Sequence, residues 1–207
     1  MRQTVKFETG SGTEAHAQAA LPRFLEDMAA LAESLGLPAE VKTRAASIVS
    51  QAAEMRFCRL IARPVLAASS LYVACRELKV PLTLREVAEA TGTEIRDVGR
   101  CYATMLERMH IARPELNGGN YVHHLSLKTA LSEATYNASE EIIRQATSAG
   151  LGGRNPMTLV AAALYLASCN NGERVTQSEV ADAAGVGEES VRECCKVIRA
   201  LAASEVG

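Results

Sequence analysis

The chain has 207 residues, is 48% hydrophobic and 4% aromatic, and contains no Trp, so it has room for two small domains or one medium one. Its Ala- and Leu-rich composition favours closely packed helices over sheets, and no apolar run approaches the ~20 residues that span a bilayer. The net charge of −2 is uneven: residues 21–113 carry 13 basic against 11 acidic groups and residues 114–207 carry 7 against 11, so only the first half has the local cation excess that phosphate contacts need.

Residues 1–20 are rich in Gly, Ser, Thr and Gln and lack a hydrophobic signal region, which predicts a flexible N-terminal tail. A first repeat is expected over 21–113, with helices near 22–35, 38–55, 63–78, 84–91 and 94–110. Gly36 and Gly92 supply left-handed stops, Pro38 and Pro64 suit first-turn positions, and Pro81 breaks the chain after the third helix. Residues 114–120, with Asn117-Gly118-Gly119-Asn120 as turn chemistry, form the expected linker. A second repeat over 121–207 would place helices near 121–132, 139–149, 156–169, 177–184 and 188–202.

The two halves match at a constant offset of 93 residues: Leu71-Tyr72-Val73-Ala74 returns as Leu164-Tyr165-Leu166-Ala167, the Thr83–Gly92 stretch as Thr176–Gly185, and Val98 as Val191. The fold class is therefore all-α, two tandem five-helix repeats. The third helix of each repeat is apolar on nearly all faces and predicts a buried centre, with Tyr72 and Tyr165 as core aromatics.

In each half a Thr N-cap, a short helix with a central Ala, a Gly turn and a second helix with spaced aliphatics make a helix-turn-helix, whose second helix can enter a DNA major groove. The parts of an enzyme are missing. His123 and His124 are adjacent and diverge on a helix, and the Gly-rich stretches fit no phosphate-binding pattern. The six cysteines have no CxxC or CxxH spacing, so no metal site is expected, and no cofactor is implied. Most of them fall at apolar helical positions, as small buried free-thiol hydrophobes do, so disulfides are not expected.

Leu71-Tyr72-Val73-Ala74-Cys75-Arg76, Val80-Pro81, Thr83, Glu86 and Gly99-Arg100-Cys101-Tyr102 resemble the first cyclin-like repeat of transcription factor IIB. The second repeat of that family is matched by Gly153-Arg154-Asn155-Pro156, Ala161 to Ser168, Thr176-Gln177, Ala184-Gly185-Val186 and Val191-Arg192. Cys at position 101, rather than Ser, is closer to eukaryotic members than to archaeal ones. The resemblance implies tandem cyclin-like repeats that straddle the TATA-binding protein on bent promoter DNA. It also implies recruitment of RNA polymerase, expected mainly through an N-terminal zinc ribbon that these residues do not encode, in the nucleus or, for an archaeal protein, the cytoplasm.

By position the resemblance assigns Arg154, Glu189, Ser190, Arg192 and Lys196 to DNA, and Arg56, Arg59 and Arg63 to DNA or to an acidic surface of the TATA-binding protein. Arg154, Arg192 and Lys196 are expected to face solvent as one positive strip. Two departures stand out: Glu189 replaces a small apolar residue, and Ile61 falls where an Arg is usual. Residues 176–199 hold five acidic groups (Glu179, Asp182, Glu188, Glu189, Glu193) against three basic ones (Arg192, Lys196, Arg199), which should repel DNA. That acidity keeps open an alternative, a cyclin-like adaptor that binds protein without touching DNA.

Overall fold

The computed structural model describes residues 14–55, 61–112, 118–151 and 156–204, and every regular element among them is a helix. The chain divides into two compact units, Met1–Glu115 and Leu116–Gly207. The first holds α1 (Glu14–Ser34), α2 (Ala39–Glu54), α3 (Arg63–Glu77), α4 (Leu84–Thr91) and α5 (Ile95–Arg108). The second holds α6 (Gly118–Lys128), α7 (Glu133–Ser148), α8 (Pro156–Asn170), α9 (Gln177–Ala184) and α10 (Glu188–Ser204).

Each unit is built around its third helix, because that helix has no polar face to give to water. Every residue of α3 from Leu66 to Cys75 is buried, and α1, α2, α4 and α5 pack on it. In α8 burial runs from Met157 to Leu164 and resumes at Leu166, with α6, α7, α9 and α10 around it. The small side chains of Ala67, Ala68 and Ala74 in α3 and of Ala161 to Ala163 in α8 are fully buried, which lets neighbouring backbones approach closely. Tyr72 is a core aromatic, set edge-on to Tyr102 with ring centroids 5.0 Å apart, whereas Tyr165 is only half-buried. Cys75, Cys101, Cys194 and Cys195 are buried thiols; burial pushes Cys75 up to about 12 and Cys195 up to about 11, while Cys169 is exposed.

Three boundaries differ from the sequence reading. Helix α1 begins at Glu14, inside the segment expected to be a tail, and carries Pro22 within it rather than in its first turn. Gly118, Gly119 and Asn120, read as linker, are the first residues of α6. Helix α7 starts at Glu133 instead of 139, because the Ser132 side chain accepts the Thr135 amide and caps it.

The Glu173 carboxylate, on the α8–α9 connection, accepts from the Ser132 amide (3.0 Å) and from the hydroxyls of Ser132 and Thr135, while Asn171 donates to Thr135 Oγ1 at 2.9 Å. In the first unit, α2 and α3 are joined by a different device, a two-pronged ion pair from Arg44 to Glu77 at 2.7 and 3.0 Å. The Ser132 and Thr135 hydroxyls, with the Ser132 amide, hold the Glu173 carboxyl below its ordinary 4.5. A depressed folded-state pKa makes the unfolded chain bind more protons in the window just below the ordinary value. Glu173 therefore contributes stability that is complete above about pH 5 and is lost as pH falls through the folded pKa. Urea denaturation across the acid range should show a shallower acid limb for Glu173→Gln than for the natural chain; identical limbs would contradict this.

Candidate nucleic-acid interface

Helices α9 and α10 form the helix-turn-helix of the second unit, and its sharp geometry is written locally. Thr176 caps α9: its hydroxyl accepts the Glu179 amide at 3.1 Å, and the Glu179 carboxylate returns to the Thr176 amide at 2.7 Å and hydroxyl at 2.8 Å. Those bonds, the amide first, lower the Glu179 pKa from its ordinary 4.5. Gly185 then closes the helix with φ +67°, a left-handed value that a Cβ would strain, and the Val186 amide reaches back to the Ala181 carbonyl at 3.0 Å. Val191, Cys194, Cys195 and Ile198 turn α10's apolar face into the core, and the Cys195 thiol lies 3.8 Å from the Ala162 carbonyl of α8. The opposite face is left to solvent.

The first unit repeats the device in α4 and α5. Thr83 and Glu86 form the same capping box, Gly92 stands at φ +63°, and Val98, Cys101, Tyr102 and Met105 seat α5 on the core. The two boxes differ in burial: Glu86 is 6% exposed, whereas Glu179 is exposed. Loss of the threonine hydroxyl should cost about 0.5–2 kcal/mol in either box. Thr83→Ala belongs at the upper end, since it leaves a buried carboxylate short of a donor, and Thr176→Ala at the lower. Denaturation midpoints of the two variants test that order.

Glu188, Glu189, Arg192, Glu193 and Lys196 are all exposed on α10, and they are paired. Arg192 donates through one terminal nitrogen to Glu188 and through the other to Glu189, each at 2.6 Å, and Lys196 donates to Glu193 at 2.6 Å. Arg192 and Lys196 do face solvent, but in place of a positive strip there is a row of ion pairs, because carboxylates three and four residues away share their face. Ser190 is exposed on the first turn. Arg63 opens α3 and is half-buried; Arg56, Arg59 and Arg154 lie outside the described residues.

The sequence reading passed over a cationic edge in the first unit. Arg96, Arg100 and Arg108 are exposed along α5, and Arg100 is only loosely paired, 3.7 Å from Asp97. Arg100, Thr104 and Arg108 line a groove together with Asp97, Ile61 and Val65. The spacing of four and eight residues was readable as a shared face. Among the described residues no group of three or more His, Cys, Asp or Glu side chains is placed to hold a metal ion, and no helix is long and apolar enough to cross a membrane.

The transcription factor TFIIB repeat matches this chain twice, over residues 19–108 and 111–200, one match for each helical unit. The chain belongs to the TFIIB repeat family. Its two matched stretches are tandem cyclin-like repeats, and one helix-turn-helix pair lies in each, α4–α5 in the first and α9–α10 in the second. It is 35% identical over 173 residues to transcription initiation factor IIB of Saccharolobus shibatae, covering 83% of this chain and 56% of that one. Identity is 36% over 173 residues to the Sulfurisphaera tokodaii protein of the same name, with the same two coverages. The Methanothermococcus thermolithotrophicus protein, also transcription initiation factor IIB, is 36% identical over 169 residues, which are 81% of this chain and 50% of that one. The chain thus spans about half the length of these curated relatives. All three are archaeal.

Proposed function

We propose that this chain is the DNA- and partner-binding core of a general transcription initiation factor: it binds the TATA-binding protein on promoter DNA and helps assemble the RNA polymerase preinitiation complex. The observation that carries this reading is the TFIIB repeat match in both units, with a helix-turn-helix in each. The relatives' shared name, transcription initiation factor IIB, supports it. The action is binding, not catalysis. The assigned organisation is a tail over 1–20, a first repeat over 21–113, a linker over 114–120 and a second repeat over 121–207, with α1 and α6 extending into the tail and linker.

In this reading Arg154, Glu189, Ser190, Arg192 and Lys196 approach DNA, and Arg56, Arg59 and Arg63 approach the TATA-binding protein or the DNA beside it. Polymerase contact falls mainly to a region beyond these residues. Promoter DNA sets the location: the cytoplasm of an archaeal cell, as the archaeal relatives favour, or the nucleus of a eukaryotic one. A second reading, an adaptor that binds protein alone, is favoured by one observation, the carboxylates that occupy the exposed face of α10. Electrophoretic mobility shift on a TATA-containing duplex separates the two. A slower species that needs both the cognate TATA-binding protein and this chain supports the initiation factor; no change in mobility on adding the chain supports the adaptor.

A further inference from the structure

Thiol chemistry in this chain is confined by burial. Cys75, Cys101, Cys194 and Cys195 are all buried. Burial pushes the Cys75 thiol up to about 12 and the Cys195 thiol up to about 11, so both stay protonated at neutral pH, and a protonated thiol is a poor nucleophile. Among the described residues Cys169 is the exposed cysteine.

Cys169 belongs to a cluster where α8 meets α10. It lies in the last turn of α8, four residues after Tyr165, so the two side chains share a face, and its thiol is the hydrogen-bond partner of the Tyr165 hydroxyl. Helix α10 packs along α8: the Cys195 thiol lies 3.8 Å from the carbonyl of Ala162, one turn before Tyr165. Arg199, one turn after Cys195, brings its guanidinium within electrostatic range of both Tyr165 and the Cys195 thiol. Two thiols, a phenol and a guanidinium therefore gather at one edge of the second unit.

The parts are chemically complementary. The Cys169 thiol, as hydrogen-bond partner, leads the causes that raise the Tyr165 pKa above its ordinary 10.0, so the hydroxyl keeps its proton and is a donor for a sulfur that carries charge. Arg192 and Lys196 are engaged by carboxylates on α10, whereas Arg199 is exposed and has no carboxylate within ion-pairing distance among the described residues. Its planar fork suits a carboxylate brought by another molecule.

We propose that Cys169 is a modification site that forms mixed disulfides with small disulfides bearing carboxylates, and that Tyr165 and Arg199 are its positioning residues. Tyr165 donates to the sulfur, and Arg199 takes a carboxylate of the incoming molecule. The Cys169 thiolate attacks one sulfur of the small disulfide: the new S–S bond to Cys169 forms and the original S–S bond breaks. The released half leaves as a thiolate and takes up the proton that Cys169 lost. The small disulfide is the oxidant, reduced to one thiol as Cys169 is oxidised to the disulfide level.

The test treats the full chain at neutral pH with oxidised glutathione, which is anionic, or with hydroxyethyl disulfide, which is neutral, and locates the adducts by peptide mass spectrometry. Cys169 should be modified ahead of the four buried cysteines, and by oxidised glutathione faster in the native chain than in the chain unfolded in urea. R199Q should slow the anionic reagent roughly twofold to fivefold, the change an exposed ion pair supports, and leave the neutral one unchanged. R199K should keep most of the anionic preference. Y165F, which removes the donor and keeps the ring, should slow both reagents alike, by roughly twofold to tenfold.

Cys169 reacting no faster in the native chain than in the unfolded one overturns the inference. So does an R199Q protein with the natural preference for the anionic reagent, or an R199K protein that loses it while Cys195 stays unmodified. Adducts at Cys195 would mark a variant whose fold has loosened, and the comparison of native with unfolded chain, made on the natural sequence, then decides.

Discussion

Leu164→Ala is expected to destabilise the second unit by about 2–5 kcal/mol, the range for a large buried aliphatic cut back to Ala. Leu164 is fully buried at the middle of α8, and its side chain has nowhere to relax into, because the helix is surrounded by α6, α7, α9 and α10. The neighbouring Ala161, Ala162 and Ala163 are also fully buried and too short to swing into the space. The upper half of that range is expected, since cost rises with the cavity that remains. Leu71 holds the matching place in α3 and should behave alike. Urea denaturation followed by circular dichroism measures both; a loss below about 1 kcal/mol for either would mean that the centre of that repeat repacks freely.

Under the proposed function, promoter binding should be strongly coupled to the TATA-binding protein and weak without it. The chain's net charge is −2, and the exposed face of its second helix-turn-helix is filled with ion pairs, so few phosphates can be neutralised on duplex DNA alone. Affinity of the chain for bare promoter DNA should therefore fall only slightly between low and moderate salt. Pre-binding of the TATA-binding protein should raise it by roughly 5- to 150-fold, the usual span of coupling between two sites. Linkage requires this chain to raise the TATA-binding protein's affinity for the same duplex by an equal factor. Fluorescence anisotropy titrations in both orders of addition measure the two factors. A steep salt slope for the chain alone, with no coupling, would reverse the charge argument.

Much of this architecture could be read from the residues. The bounds of α4 and α9 follow residue for residue from a Thr N-cap with Glu three places on and a Gly in the left-handed region, since both signals act within a single turn. The burial of α3 and α8 follows from their lack of a polar face. What was missed depends on partners distant in sequence or on competition between local signals. The start of α7 rests on Ser132, a cap itself held by Glu173 from 41 residues away. Gly118-Gly119-Asn120 has turn chemistry but joins α6, where Tyr121, Val122 and Leu125 bury a common face. On α10 the charges were all visible, yet a row of letters does not say that both ends of one guanidinium are already engaged.

The two repeats are built to one plan but fastened with different hardware, and this limits how they can be recombined. At the 93-residue offset the positions of Arg44 and Glu77 hold Asn137 and Asn170, while those of Ser132, Thr135 and Glu173 hold Ala39, Lys42 and Val80. A chimera that transplanted α7 in place of α2 would thus leave Glu77 without its arginine and bring hydroxyls that have no carboxylate to meet. Helices that correspond in order have become private to their own repeat. Duplication supplied the outline, and each copy has since become a lock that the other's key does not turn.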